Sequence, residues 1–551
     1  MKEYCGKGVQ EGIAFGKLFY YERRYTDIVR IDAVSLQEEI RRFELAVKET
    51  VLELQNLCEK ARLLVGEENA AIFEMQKLIA KDDLLIEEVK QYILRNSCNA
   101  EYALLRAVND YAGKLELLED EVLCAKSADC LDVSRKMLKH MTDVDMDEPV
   151  ITQPVILLAN DLSPSETINL DKDKILAIVL REGSKYSHTA ILARSLGIPC
   201  LVQLETASFL EMQNKDAIVD GQEGRLYVEP SLEVEKRLRE KNVQLQKKQQ
   251  DLYNLIGLEN RTIDGKTIAV YANIETPGDI PKVRDADAGG IGLFRTEFLF
   301  LSRNIYPKEE EQFLAYKEVA EGMRDKPVII RTLDIGADKV VPYLILSKEE
   351  NPAMGMRGIR LCLSQKQLFL TQLKALLRAA AYGNVSFMLP MISAVWEVEA
   401  VKELILEAKN LLIEEKRVFG DPKLGIMIET PAAVLVADEL AKLADFFSIG
   451  TNDLTQYTLA ADRMNPAMSI YTDPHHMAVR KMIEMTVASG HRAGIPVGIC
   501  GEMAADESLT EFFLQIGVDE LSVAPGEILP LRKKIRSLDC SDSKGRLNDG
   551  L

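Results

Sequence analysis

Ser187-His188-Thr189 follow a turn-forming Gly183-Ser184 and run directly into an apolar helical pattern that continues to Leu196. That order predicts a histidine at a helix N-terminus, where unpaired backbone N–H groups and the positive dipole end favour an anion. An imidazole so placed can accept a phosphoryl group and have the new negative charge partly neutralised. The chain has only five histidines, so this one carries information. A polar residue beside a helix cap would look the same in isolation, so the weight of the reading falls on the second half of the chain.

There, polar residues fall just after short apolar runs: Arg295, Arg331 with Asp334, Glu429, Asn452-Asp453 and Cys500. Glu429 and Asp453 would bring two carboxylates to one mouth, an arrangement that a hard divalent cation such as Mg²⁺ stabilises with substrate oxygens completing its shell. Arg295, Arg331 and Arg463 supply three guanidinium forks, which suit a small polyanion bearing both phosphate and carboxylate. Mutual ion pairing of these arginines and carboxylates is the competing explanation. Cys500, between Gly498 and Gly501 at a strand end, is placed to act as an acid; a buried structural thiol is the ordinary alternative.

The elements that position these groups are legible from pattern. Residues 1–30 carry short apolar runs with glycines and read as one or two strands. From Ser35 to about His140 there is no proline, and apolar residues such as Phe43, Val47, Val51 and Leu54 recur at helical spacing, predicting three or four helices. From Val150 to Pro230 a β-rich alternation returns, and the charged stretch Glu233–Gln250 predicts an exposed linking helix. Beyond Leu258, eight apolar runs alternate with helical segments: 267–274, 290–294, 328–333, 385–392, 423–428, 446–449, 496–499 and 520–523. Eight such units over this length predict a closed β/α barrel, whose chemistry belongs at the carboxyl ends of the strands.

Composition narrows the function class. With 68 Lys and Arg against 87 Asp and Glu, the net charge of −19 disfavours binding to nucleic acid or anionic lipid through the bulk field. Nine cysteines are scattered without a C-x-x-C pair, as suits reduced thiols. Neither a signal-peptide pattern nor a run of about 18 apolar residues is seen, so a soluble cytoplasmic protein without membrane insertion is expected.

Five segments in order carry a family resemblance. They are Gly289-Gly-Ile-Gly-Leu-Phe-Arg-Thr-Glu-Phe298, Ile330-Arg-Thr-Leu-Asp-Ile-Gly336, Gly425-Ile-Met-Ile-Glu-Thr-Pro431, Ser448-Ile-Gly-Thr-Asn-Asp-Leu-Thr-Gln-Tyr457 and the His188 segment. The chain closely resembles the enzyme I family of the bacterial phosphoenolpyruvate:sugar phosphotransferase system. The resemblance implies a multidomain α/β chain. A swivelling phosphohistidine domain (1–30 and 145–230) would carry a helical insert (31–144) that binds the carrier protein HPr. A linker helix (231–257), a phosphoenolpyruvate-binding TIM barrel (258–540) and a tail (541–551) would follow. It implies His188 as phosphoryl acceptor, Arg295, Arg331, Asn452, Asp453 and Arg463 as phosphoenolpyruvate contacts, Glu429 and Asp453 as Mg²⁺ ligands, and Cys500 as proton donor. It also implies phosphoenolpyruvate and an HPr-like phosphocarrier as partners, and a homodimer formed through the barrel.

The sequence departs from that family at several points. Ser184 and Tyr186 replace a glycine and a threonine of the acceptor segment, and Ala337 and Met464 stand where glycines are usual. Gln76 and Leu131 replace a histidine and an arginine on the expected carrier-docking surface, which puts partner choice in question. Pyruvate phosphate dikinases and phosphoenolpyruvate synthases share the histidine domain and barrel, but no glycine-rich phosphate loop occurs in residues 1–150. A paralogue serving a non-sugar regulatory relay is a further reading. So is a silent regulatory protein, although the intact set of candidate residues argues against silence.

Overall fold

A computed structural model describes residues 1–22, 28–65, 67–116, 121–142, 151–171, 173–185, 187–205, 208–301, 305–336, 341, 343–344, 349–463 and 465–541. The chain divides into two compact units, 1–247 and 248–551.

The first unit is built on an eight-stranded mixed sheet. Its strands are β1 (Lys2–Cys5), β2 (Lys7–Gln10), β3 (Ile13–Tyr21), β4 (Val155–Ala159), β5 (Ile175–Leu180), β6 (Cys200–Val202), β7 (Asp216–Asp220) and β8 (Arg225–Val228), in the order β1-β8-β7-β3-β4-β5-β6-β2. The centre is parallel: β3 pairs with β4 from Lys17↔Val155 to Tyr21↔Ala159, and β4 pairs with β5. Alternation along β4 feeds both faces: Val155, Leu157 and Ala159 join one buried cluster, and Ile156 and Leu158 another.

Between the neighbours β3 and β4 come five helices: α1 (Leu36–Val65), α2 (Glu67–Ala80), α3 (Asp83–Asn96), α4 (Ala100–Glu116) and α5 (Glu121–Met141). The sequence pattern predicted three or four. The extra break has local causes that composition hides. Asp82 caps α3 by accepting from the backbone N–H groups of Leu84 and Leu85, and Ser97 ends it in the left-handed region at φ +47°. Likewise three strands, not one or two, occupy the first 21 residues, because β1 and β2 are too short to show alternation. Beyond β4 the unit adds α6 (Pro164–Asn169), α7 (His188–Leu196) and all but the last turn or so of α8 (Leu232–Tyr253). The early part of α8 is fastened to the sheet by buried Leu238, by Arg239 over the Phe15 ring and by a 2.7 Å ion pair from Lys241 to buried Asp220.

The second unit is a closed parallel barrel of eight strands: β9 (Ala269–Ile274), β10 (Ile291–Phe294), β11 (Val328–Arg331), β12 (Val385–Leu389), β13 (Lys423–Ile428), β14 (Phe446–Ile449), β15 (Val497–Ile499) and β16 (Glu520–Val523). The closing pair β16–β9 runs from Glu520↔Ala269 to Val523↔Ala272. Leu293, Ile329, Met388, Met427, Phe446 and Cys500 form one buried cluster contributed by six different strands or their ends, and the larger cluster lies between strands and outer helices. Among the described residues no helix is long and apolar enough to cross a membrane.

Candidate functional site

The barrel mouth gathers charge because polar residues sit at or just beyond several strand ends. Arg331 is the last residue of β11. Its Nη2 donates to Glu297 Oε1 at 2.8 Å, and Nη1 lies 3.1 Å from Asp334 Oδ2. Glu297 also receives the Asp334 backbone N–H, which fixes the turn after β11. Arg357, from the loop beyond, donates from Nη2 to Asp334 Oδ2 at 3.0 Å and from Nη1 to Asp453 Oδ1 at 3.3 Å and to the Tyr457 hydroxyl at 3.1 Å. Asp453 and Tyr457 lie one turn apart on the helix Thr451–Leu459 that follows β14. Tyr457 in turn donates to the Ala353 carbonyl, closing the loop that carries Arg357.

Glu429 follows β13 and is buried to 1% exposure. Burial, then Asp453 and Asp334, push its carboxyl up to about 8, against the opposing pull of Arg331 and the Met391 N–H. Burial opposes the charge on Arg331, yet Glu297, Asp334, Glu429 and Asp453 hold it well above the usual range. Four carboxyl groups thus face two largely buried guanidinium groups, and even with Glu429 protonated the surplus is negative. A Cβ at Gly450 would stand 2.7 Å from Glu429 Oε2, so the missing side chain there leaves that oxygen its room. The donor set fits a hard divalent cation. No group of three or more His, Cys, Asp and Glu side chains able to hold a metal occurs among the described residues, so such an ion would take most of its shell from substrate and water.

Cys500 follows β15 at 2% exposure, with Sγ 3.6 Å from the Ile449 carbonyl. Burial pushes its thiol up to about 11, so it stays protonated at neutral pH. Asn273 steadies the Cys500 backbone by donating to its carbonyl at 3.1 Å, while the Asn273 Oδ1 accepts from Ser522. At the opposite end of the barrel, Glu520 opens β16. Burial, then Asp519, raise its carboxyl to about 8. Its Oε1 lies 2.1 Å from where a Cβ at Gly292 would stand.

Of the residues singled out from sequence, Arg331, Glu429, Asp453 and Cys500 share this mouth. Arg295 ends the run after β10 but is more exposed and pairs with Glu275 at 2.7 Å. Asn452 bonds to Glu502, and Arg463 is exposed on the loop beyond, its backbone N–H held by Gln456. Arg357, Tyr457 and Glu502 escaped the sequence reading. Arg357 lies in no strand-end register, and its one signal is its place between Gly355 and Gly358, the latter at φ +54°.

In the first unit, His188 opens α7. Ser187 is the cap: its Oγ accepts from the Ala190 N–H and donates to the Ser184 carbonyl. Gly183 takes φ +91°, and Gln203 donates to its carbonyl at 2.9 Å. Thr189 anchors the helix to the Leu162 carbonyl at 2.6 Å. Tyr186 and the His188 side chain lie outside the described residues, as do Ala337 and Met464.

One expectation is corrected. Gln76 is not on a docking surface: it is fully buried, donating to Asp129 Oδ1 at 3.2 Å and Asp132 Oδ2 at 3.1 Å, and Ser165 of α6 also donates to Asp132. An amide with an apolar stem and two acceptors within reach belongs between helices. Leu131 is half-buried against the same core.

Comparison with known proteins agrees along the whole chain. Three family models match: "PEP-utilising enzyme, N-terminal" over residues 5–126, "PEP-utilising enzyme, mobile domain" over 151–224 and "PEP-utilising enzyme, PEP-binding domain" over 249–540. The phosphoenolpyruvate-protein phosphotransferase of Priestia megaterium is 39% identical over 99% of this chain and 96% of its own. That of Bacillus subtilis (strain 168) is 38% identical over the same shares. That of Geobacillus stearothermophilus is 39% identical over 98% of this chain and 93% of its own. A barrel mouth of arginines and carboxylates, a capped histidine turn on a separate α/β unit and this end-to-end similarity lead to one assignment: the chain belongs to the phosphoenolpyruvate-protein phosphotransferase family of PEP-utilising enzymes.

Proposed function

We propose that the chain moves a phosphoryl group from phosphoenolpyruvate to its own His188 and then to a histidine of an HPr-like phosphocarrier, the first step of phosphotransferase-system sugar uptake. The observation that carries the reading is the barrel mouth: buried guanidinium groups, surplus carboxylate and a protonated thiol at adjoining strand ends. Arg295, Arg331 and Arg463 bind the phosphate and carboxylate of the substrate, with Asn452 as a further polar contact. Glu429 and Asp453 would hold Mg²⁺, which when bound would neutralise charge on the phosphate oxygens. His188 attacks phosphorus in line, the bond to the enol oxygen breaks, and the enolate of pyruvate leaves. Cys500 gives its proton to the methylene carbon, which makes return difficult, and regains a proton from solvent. Arg357 holds Asp453 and Asp334 in place through its fork.

We assign 1–30 and 145–230 to the phosphohistidine domain, 31–144 to the carrier-binding insert, 231–257 to the linker, 258–540 to the phosphoenolpyruvate domain and 541–551 to a tail. His188 must visit the barrel and then the carrier, so its domain swings on the linker. A cytoplasmic homodimer joined through the barrel completes the reading. Incubation with labelled phosphoenolpyruvate and Mg²⁺ tests it: acid-labile label should map to His188 and pass on to an HPr-type carrier. Label that persists in His188→Ala, for instance on His140 or His491, would overturn it.

A further inference from the structure

An asparagine amide is nearly symmetric in shape, and only its hydrogen bonds decide which end is oxygen and which is nitrogen. At Asn452 both ends are answered by one residue. The Nδ2 donates to Glu502 Oε1 at 2.9 Å, and Oδ1 accepts the Glu502 backbone N–H at 3.0 Å. A carboxylate beside one end and an N–H beside the other permit a single orientation, and the charged acceptor makes the first bond the stronger kind. With one Nδ2 hydrogen and one Oδ1 lone pair used, the amide keeps one N–H, which can meet an anionic oxygen as a donor.

The fold brings these two residues together by close approach of backbone. A Cβ at Gly501 would stand 1.9 Å from Thr451 Oγ1 and 2.8 Å from the Thr451 nitrogen, so the segment after β15 lies directly against the segment after β14. Buried Met503 and Ala504 root the short turn that begins at Glu502. A second tie joins the same stretches of chain further out, His475 Nε2 to Asp506 Oδ2 at 2.8 Å. One of these segments carries Asp453 and the other Cys500.

We propose that Glu502 is a positioning residue for the phosphoryl-transfer reaction: it fixes the rotamer and amide sense of Asn452, so that the remaining Nδ2 hydrogen is presented to an oxygen of phosphoenolpyruvate in constant register with Cys500. This rests on the reading of Asn452 as a substrate contact, and the test separates the two. Steady-state transfer from phosphoenolpyruvate to His188 and on to a carrier is measured in the full-length chain for Glu502→Ala, Glu502→Gln, Asn452→Ala and the double variant, with melting temperature beside it. Glu502→Ala should raise the KM for phosphoenolpyruvate about 10-fold, the scale of one charge-assisted hydrogen bond, while kcat falls less than 3-fold or so and the melting temperature holds. Glu502→Gln keeps an acceptor oxygen and should recover most of that loss, which a merely structural role would not predict. The double variant should match Asn452→Ala. A normal KM in Glu502→Ala beside an impaired Asn452→Ala overturns the inference and leaves Asn452 its role. A normal Asn452→Ala overturns both. Losses that multiply in the double variant show Glu502 acting by another route and also overturn the inference. Should Glu502→Ala fail to fold, Glu502→Asp, which shortens the reach, decides it: a raised KM supports the inference and an unchanged one overturns it.

Discussion

Two buried groups of carboxylates in this chain are met in different ways. At the barrel mouth, Glu297, Asp334, Glu429 and Asp453 surround the guanidinium group of Arg331, and Asp334 and Asp453 also face Arg357. In the helical insert, Asp129 and Asp132 of α5 take hydrogen bonds from the neutral amide of Gln76 on α2, and Asp132 another from the Ser165 hydroxyl on α6. The first arrangement keeps charge available at an opening, where a polyanion and a cation can exchange partners with it. The second uses carboxylate oxygens as fixed acceptors that join three elements. Burial of acid is common to both, and the partner decides whether it serves chemistry or cohesion.

The sharpest break between the two would come at Cys500. Cys500→Ala should slow pyruvate formation by about 10² to 10⁴ and leave phosphoenolpyruvate binding nearly unchanged, since the thiol adds no charge to the mouth; an unchanged turnover would reduce the residue to packing. Arg357→Ala should cost stability as well as activity. It takes the fork from Asp453 and leaves Asp334 with Arg331, a loss of about 3–5 kcal/mol by urea unfolding, and Arg357→Lys should lose less. Were the loss within about 0.5 kcal/mol, the mouth would not be the coupled network described.

In the insert the expected effect is smaller. Gln76→Leu leaves two buried acceptors short of a donor, at a cost of about 1–3 kcal/mol, while phosphorylation of His188 by phosphoenolpyruvate continues. Loss of that phosphorylation would show that the insert's acid pair takes part in chemistry. The last effect depends on pH and concerns Glu520, at the barrel's other end. Its carboxyl is raised from 4.5 to about 8 in the folded chain, so between those values the native state holds a proton that the unfolded state has released. Stability therefore falls as pH rises from about 4.5 to about 8 and levels off above. Glu520→Gln should flatten that slope, which is about 1.4 kcal/mol per pH unit for one proton, leaving the variant ahead of the parent at pH 8 and level with it at pH 4.5. Parallel melting curves across this range would place the carboxyl in water.

The barrel could be read from sequence because each strand begins or ends within a few residues of its apolar run, and because its chemistry clings to strand ends. Arg331, Glu429, Asp453 and Cys500 were legible for that reason. Arg357 and Glu502 were not: they arrive from loops, and only the closed barrel brings Arg357 to Asp453 or Glu502 to Asn452. Gln76 misled because a polar residue on a long amphipathic helix is ordinarily exposed, and its two acceptors lie more than 50 positions away. The break at Ser97 was equally hidden, since a serine in the left-handed region leaves no compositional mark.

The parallel pairing of β3 with β4 has a kinetic consequence. Tyr21 on β3 donates to Glu166 across 145 residues, with the whole helical insert lying between. Closing so long a loop as free coil costs about 4 kcal/mol of chain entropy before any strand contact repays it. Helices held by local contacts assemble much faster than such non-local strand pairs. The insert is therefore expected to fold first and to deliver the two strands to each other. A substitution that loosens α1–α5 should then slow refolding of the sheet whose β5–β6 connection carries His188, although it touches no strand.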